Sequence, residues 1–365
     1  MPMRTRLSPR IVFGLVVVLA AGALPRPASA QPMGGFLTFE GFGEQFVAVP
    51  GGGALNPIHQ LTVEVTTLSS GRESGCETYV AREDRTLSIA WCDGRLRTIL
   101  RSTGSTFEGG GLPPYQPHHI AVTFDGTTLR HYVDGELVLV REAPGLLERS
   151  DARLLFGSNS AIGTAPPFGS IDEVRIWNVA RTQAQIRGAI NRELGPTPGL
   201  VGLWHFNGDT RDSSGGHHDG GPPKGGAVLS AHLPLPPGPC FADPITACFE
   251  SGRFEVRGSW TTYTPPAPNG EVSRIALGWI SVVPGASDTS ALFWFFSPDN
   301  WELLVKSVNG CGLNDRRWVF SAATTNLHYR LTVFDRLTGD QRVYWSFSGP
   351  PAAAVTDTSA FASCP

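Results

Sequence analysis

Alternation of apolar and polar positions is clearest between His118 and Val140, which read HHIAVTFDGTTLRHYVDGELVLV. Ile120, Val122 and Phe124 alternate with Ala121 and Thr123, the period of a strand with one buried face. Asp125-Gly126 follows, a dipeptide that readily takes the positive φ of a tight hairpin. A second run places Leu129, His131 and Val133 on one face and Arg130 and Tyr132 on the other. Asp134-Gly135 turns again, and Leu137 and Leu139 begin a third strand. Two turns within about ten residues predict an antiparallel meander with one face toward a core.

The same period recurs on both sides. Leu37 and Phe39, then Phe46, Val47 and Val49, read as strand, ended by Pro50 and a triple glycine. Leu61, Val63 and Val65 form the next strand; Leu96 to Leu100 and Leu154 to Ser158 are further ones. Ser170 to Asn178, SIDEVRIWN, carries Ile171, Val174, Ile176 and Trp177. One helix is expected: Thr182 and Gln185 have capping-box spacing ahead of an Ile186 and Ile190 stripe, with an end near Gly195. Proline-rich composition with little patterning marks 222–239 as a semi-rigid linker.

Beyond it, strands are expected around Phe254, Val256 and Trp260, and over Ile275 to Val283, Ala291 to Phe296 and Trp301 to Val308. Arg317 to Phe320, Tyr329 to Phe334 and Arg342 to Phe347 follow, the last two joined by a hairpin turn at Leu337 to Asp340. About seven strands and no clear helix predict a small all-β sandwich or barrel.

Length and composition suit this picture. A chain of 365 residues can bury two cores. Its 43 glycines and 30 prolines favour short strands joined by turns. A net charge of −3 gives no pull toward nucleic acid or an anionic membrane. Lysine occurs only at Lys224 and Lys306, a bias read as coding rather than function.

The first 30 residues read as a secretory signal. Arg4, Arg6 and Arg10 precede an apolar stretch from Ile11 to Leu24, short for a membrane span, and Ala28-Ser29-Ala30 is an A-x-A site. Cleavage near Ala30 would leave a secreted chain, extracellular or periplasmic, with no membrane insertion expected. Export permits disulfides among the six cysteines. A turn at Glu83-Asp84-Arg85 would set Cys76 opposite Cys92, a bridge worth roughly 3 kcal/mol on the chain-entropy model. Cys240 and Cys248 are close in sequence, which leaves Cys311 and Cys364 to tie the last strand back. Free buried thiols are the other reading.

The meander resembles the central segment of the laminin-G-like, concanavalin A-type jelly roll, HHxAVTxDGxTLRxYVDGxLV. SIDEVRIWN resembles that family's closing strand. The stretch from Leu37 to Pro50 resembles its opening LxFDGxxDYVxVP, except that Glu40 stands where Asp is usual and one extra residue precedes Phe46. Gly199 to Gly221 resembles a strand that often opens such a roll, WxFDEGSGxxxxDSSGNGxxG, and is expected to complete the same sandwich from the C-terminal side. The rival is a second, truncated roll. Residues 240–365 resemble a module recurring at the ends of exported bacterial proteins, with no activity attached to it. The expected fold class is therefore all-β: a jelly-roll sandwich over 31–221, the linker over 222–239, and a small disulfide-bonded module over 240–365.

No H-E-x-x-H, G-x-S-x-G or P-loop is present. Glycosidases of the concanavalin A-like class need two carboxylates that share one glycosidic bond. Asp172-Glu173 is the nearest pair, and adjacent strand residues diverge unless a bulge intervenes. The resemblance implies calcium at the sandwich rim, for which Asp172, Asp209 and Asp212 are candidates; an Asx-type turn is the alternative for Asp212. His118-His119 is read as packing and edge hydrogen bonding, His131 as a satisfied core histidine, and His217-His218-Asp219 as diverging neighbours. Trp294, Trp301 and Trp318 belong to the densest aromatic cluster. Outward members would stack on sugar rings; the plainer reading has a loop covering the outward row. The leading expectation is a secreted, non-catalytic protein that recognises an extracellular glycan or protein, with calcium as a possible cofactor and no nucleic-acid partner. A structural or adhesion spacer whose C-terminal module docks to a surface is the alternative, and a glycoside hydrolase the second.

Overall fold

The computed structural model describes residues 35–69, 75–100, 105–112, 117–158, 164–229, 238–264, 274–349 and 351–364. The expected signal segment, 1–30, and residues 230–237 of the expected linker lie outside them. The first sandwich runs through β1 (Leu37–Glu40), β2 (Phe46–Val49), β3 (Leu61–Ser69), β4 (Cys76–Arg82), β5 (Leu87–Cys92), β6 (Arg95–Leu100) and β7 (Ser105–Glu108). It continues with β8 (Pro117–Phe124), β9 (Thr128–Val133), β10 (Glu136–Glu142), β11 (Leu154–Gly157), β12 (Phe168–Trp177), helix α1 (Gln183–Arg187), β13 (Leu200–Trp204) and β14 (Val228–Leu229). Its larger sheet has the order β10-β9-β8-β3-β12-β1-β14, with β13 also paired to β12; its smaller sheet has the order β2-β11-β4-β5-β6-β7.

The meander forms as its pattern requires. Ile120 pairs with Val133 and Val122 with His131 across β8 and β9. Asp134 and Gly135 both take positive φ, as a tight primed turn needs. Val63, Val65, Ile120, Val122 and Ile171 face Val47, Val80, Ile89 and Phe156 in one buried cluster. Trp204 closes it, edge-on to Phe156 at 4.8 Å. Because β13 pairs with β12, the strand after α1 completes this sandwich and does not start a second roll.

The second sandwich runs through β15 (Ala247–Phe249), β16 (Phe254–Thr264), β17 (Arg274–Trp279), β18 (Ser281–Val282), β19 (Ser290–Trp294), β20 (Trp301–Asn309), helix α2 (Cys311–Asn314), β21 (Arg317–Ala323), β22 (His328–Asp335), β23 (Gln341–Ser346) and β24 (Val355–Phe361). One sheet has the order β15-β16-β22-β23, with β17 paired to β16; the other has the order β18-β19-β20-β21-β24. Every strand pairing described in the chain is antiparallel. Disulfides join Cys76 to Cys92, Cys240 to Cys248 and Cys311 to Cys364. Among the described residues no helix is long and apolar enough to cross a membrane.

Four expectations are corrected. Helix α1 has its capping box but ends at Arg187, well before Gly195. The residues after it trade helical bonds for sheet-like ones: the Asn191 carbonyl accepts from the Trp345 amide at 3.0 Å, and the Glu193 amide donates to the Val343 carbonyl at 3.3 Å. The stretch 222–239 is not all linker, since Lys224 bridges to Phe46 and β14 pairs with β1. The run from Ile275 to Val283 is two strands: β17 pairs with β16, β18 pairs with β19, and the chain changes sheets at buried Ile280. Finally, where about seven strands and no clear helix are expected, the second sandwich has ten strands, β15 to β24, and helix α2; β15, α2 and β24 carry no clear signature in the sequence.

The outer face of the larger first sheet is covered over its central strands, while its edge strand β10 is largely exposed. Ile186 of α1 lies on Ala121 and Tyr132. Ile190 packs with Val343, Trp345 and Phe347 of the second sandwich. Arg330 of β22 reaches Asp172 of β12 at 3.0 Å.

Candidate functional site

The aromatic cluster is built by strand alternation. In β19, Ala291 and Phe293 are buried while Leu292 and Trp294 stay partly exposed. In β20, Leu303, Val305 and Ser307 are buried, whereas Leu304, Lys306 and Val308 face out. In β21, Val319 and Ser321 are buried; Trp318 and Phe320 face out. A register irregularity between Phe293 and Trp294 brings Trp294 opposite Trp301, and regular pairing puts Val308 opposite Trp318.

The indoles are held by their N–H groups. Trp301 donates from Nε1 to the Pro298 carbonyl at 3.0 Å, and Trp318 to Asn314 Oδ1 at 2.8 Å. Gly310 leaves room for the Trp318 ring, where a Cβ would come within 2.2 Å of it. Trp318 also meets Phe320 edge-on, with centroids 6.1 Å apart. The outward row is not covered: Trp301 is 53% exposed, and Leu292, Leu304, Trp318 and Phe320 are each half-buried. The three tryptophans thus share one outer sheet face, with Trp294 and Trp301 toward one end and Trp318 toward the other.

The acidic candidates go elsewhere. Asp212 anchors its loop: Oδ1 accepts from the amides of Leu203 and Ser214, and Oδ2 from the His218 amide and Nδ1. Asp209 is an exposed turn residue that accepts from the Arg211 amide. Asp172 accepts from the Glu173 amide at 2.9 Å and from Arg330 at 3.0 Å. Calcium takes six to eight oxygens that are free to coordinate. Asp172 and Asp212 have both oxygens turned to N–H donors, so they do not fit the rim site expected of them.

The closing strand carries a group that sequence reading missed. A bulge between Asp172 and Arg175 puts Glu173 at positive φ and buries it on the outer face. There it meets His205 Nδ1, and Arg175 donates to its other oxygen from Nε and Nη2 at 3.2 and 2.9 Å. Ligand atoms of Glu173, Glu193 and His205 lie within 4.8 Å of one another, a spacing that a metal ion can bridge. Two carboxylates and an imidazole suit a borderline cation better than calcium. As the site stands, however, charge is balanced within the protein.

Burial alone would lower His205, but Glu173 and Glu193 beside it raise it to about 9. Burial would raise Glu173, yet His205 and Arg175 hold it below the usual carboxylate range. Burial pushes Asp172 up to about 7; Arg330 opposes the rise, and Glu173 and Glu193 add to it. The three residues come from separate elements, and nothing in their local spacing announces them.

The histidines resolve differently. His131 is buried between the sheets, with Nε2 at 2.9 Å from Thr98 Oγ1 and Nδ1 at 3.2 Å from the Gly109 carbonyl. Its burial lowers it to about 4, as a satisfied core histidine requires. His118 and His119 are not edge residues, for β8 is internal to its sheet. His118 pairs with Asp134 at 2.8 Å and His119 with Glu64 at 3.1 Å.

The bulge meets the geometric condition for Asp172 and Glu173 to approach one another, but not the chemical one. Both carboxyls are buried and held by cationic partners. A glycosidase pair must instead flank a sugar bond in an open cleft.

Comparison with known proteins agrees with this architecture. Residues 47–187 match a family model described as the concanavalin A-like lectin/glucanases superfamily. Among solved structures, the chain is similar to a candidate carbohydrate-binding protein from Bacteroides ovatus, with 18% identity and a TM-score of 0.46 over 55% of this chain and 60% of that one. It thus spans three fifths of that protein's length. It is also similar to a heptameric SAP-like pentraxin from Limulus polyphemus, with 15% identity and a TM-score of 0.34 over 42% and 81% of the two chains. A sialyllactose-bound carbohydrate-binding module from a Ruminococcus gnavus sialidase gives 14% identity and a TM-score of 0.34 over 41% and 95%. No curated protein matches the sequence. The first sandwich, with its two antiparallel sheets, is thus similar over residues 47–187 to the concanavalin A-like lectin/glucanases superfamily.

Proposed function

We propose that this is an exported, non-catalytic glycan-binding protein whose contact surface is the outer aromatic face of the second sandwich. The carrying observation is the cross-strand placement of Trp294 and half-exposed Trp301, continued by Trp318 and Phe320 on the same face. Flat indole faces, fixed through their N–H groups, suit stacking on the apolar faces of sugar rings. The larger sheet of the first sandwich is covered over its central strands by α1 and the second sandwich. Its buried carboxyls are held by cationic side chains, which supports recognition over hydrolysis. Export is read from the basic start, the apolar stretch and the A-x-A site of residues 1–30, and three disulfides suit an oxidising compartment.

The test is affinity electrophoresis and calorimetry of residues 31–365 against a panel of soluble polysaccharides, with and without a chelator. Retention by at least one glycan is expected, and Trp301→Ala should weaken it by about tenfold, some 1.4 kcal/mol. A folded protein retained by no glycan in either condition would sink the reading. Retention that is unchanged in Trp301→Ala and Trp294→Ala would move the surface elsewhere. Loss of binding on chelation would restore an ion to the mechanism.

A further inference from the structure

The aromatic face carries one outward-pointing charge on its three central strands. Lys306 lies on β20 between the two tryptophan ends, opposite Ser290 on one side and Phe320 on the other. Its neighbours along the strand face are Leu304 and Val308. It is exposed, and among the described residues no carboxylate pairs with it. The acids of the adjoining segments have partners of their own: Asp288, two residues before Ser290, accepts from the Ser251 amide at 2.6 Å, Glu302 accepts from the Phe295 amide at 2.7 Å, Asp357 accepts from the Tyr344 hydroxyl at 3.0 Å, and Glu250 is held by Arg317. Along β20, Trp301 and Val308 are separated by roughly 23 Å at the usual rise per residue, so a chain spanning both aromatic ends crosses the ammonium.

Resting on the glycan-binding reading, we infer that this face selects acidic polysaccharides, in which uronic acid carboxylates meet Lys306 while neighbouring rings stack on the tryptophans. A single ammonium among apolar side chains matches one uronate carboxylate at the middle of the face; a densely sulfated chain would call for a cluster of cations. Such a pair on an exposed face is worth a few-fold in affinity, screened by salt.

The experiment uses residues 31–365 and measures binding to polygalacturonate and alginate, to carboxyl-reduced forms of each, and to heparin, at low and high salt. The uronates should bind about fivefold tighter than their reduced counterparts at low salt, and the preference should shrink as salt rises. Lys306→Ala should bring that ratio close to one. Lys306→Glu should invert the preference, and Lys306→Arg should keep it. Trp301→Ala should weaken acidic and neutral chains alike. Binding to neutral chains with no uronate preference overturns this inference and leaves the glycan-binding reading standing. A preference for heparin over both uronates, or a preference that survives Lys306→Ala, overturns it as well. Retention by no polysaccharide at all removes the reading beneath it.

Discussion

At the scale of single residues, the binding face depends on a contact that has no side chain. Gly310 has an ordinary negative φ, so glycine is not needed there for backbone freedom. It is needed for space, since a Cβ would come within 2.2 Å of the Trp318 indole. Gly310→Ala must therefore push that ring off its bond to Asn314. A cost of about 1–3 kcal/mol is expected, the usual range for forced overpacking. Denaturant unfolding followed by tryptophan emission would show a lowered midpoint and an altered native spectrum, and an unchanged native spectrum would contradict the proposed ring placement. The tryptophans themselves were legible, because Phe293-Trp294-Phe295-Phe296 alternates and strand period sets which members face out. The trio of Glu173, Glu193 and His205 was not. Glu173 depends on a bulge, and Glu193 on a segment that abandons its helix to pair with β23.

At the scale of elements, strong alternation or an explicit turn made a strand readable, and polar content hid it. The meander, β20 and β22 are instances of the first. In the second class is β24, VTDTSAF, whose inward positions include Asp357 and whose apolar residues come in a final pair. Fold partners define this strand: it pairs with β21, and Cys364 beyond its end is tied to Cys311 in α2. That bridge spans a sequence separation of 53 residues. Closing a loop of that length is worth about 4 kcal/mol on the chain-entropy model. The double variant Cys311→Ser with Cys364→Ser should lose an amount of that order in chemical denaturation. Hydrogen exchange should show β24 losing protection before β20 does, because β24 sits at an edge of the sheet and β20 in its middle. Uniform loss across the sheet would mean that the bridge holds the whole module and not its last strand.

At the scale of the whole molecule, the two sandwiches meet across a seam rich in titratable groups, and that seam sets the response to acid. Glu64 is buried among His119, Arg175 and Arg181. Burial would raise it, but its hydrogen bond with His119 and these charges hold it down to about 2. His328 lies against Phe347 at the seam, and its Nδ1 meets the Ser346 carbonyl at 2.6 Å. Burial lowers it to about 4; Arg330 and His118 oppose its proton, while the Ser346 carbonyl and Asp134 favour it. Burial lowers His131 in the first core equally. All three folded values lie below those of the unfolded chain, so the unfolded chain binds more protons and stability rises with pH. The two histidines contribute fully above about 6.5 and lose that contribution as pH falls to about 4, on the order of 3 kcal/mol each. Glu64 adds a loss between its ordinary value and about 2. His205 and Asp172 have the opposite sign: the raised value of His205 stabilises the fold below about 6.5 and ceases to do so as pH climbs through about 9, and Asp172, raised to about 7, costs stability as pH rises from about 4 to 7 and so offsets part of the histidines' gain. Denaturant midpoints measured from pH 3 to 10 should therefore peak at about pH 6 to 7 and fall on both sides, toward acid through the two histidines and Glu64 and toward alkali through His205. His328→Gln and His131→Gln should each flatten the slope between about 6.5 and 4, and only the first should do so by way of the seam. Variants His328→Gln and His131→Gln whose profiles match the parent's from about pH 7 down to 4 would show that neither histidine is held neutral by burial, and that the packing drawn around both is wrong.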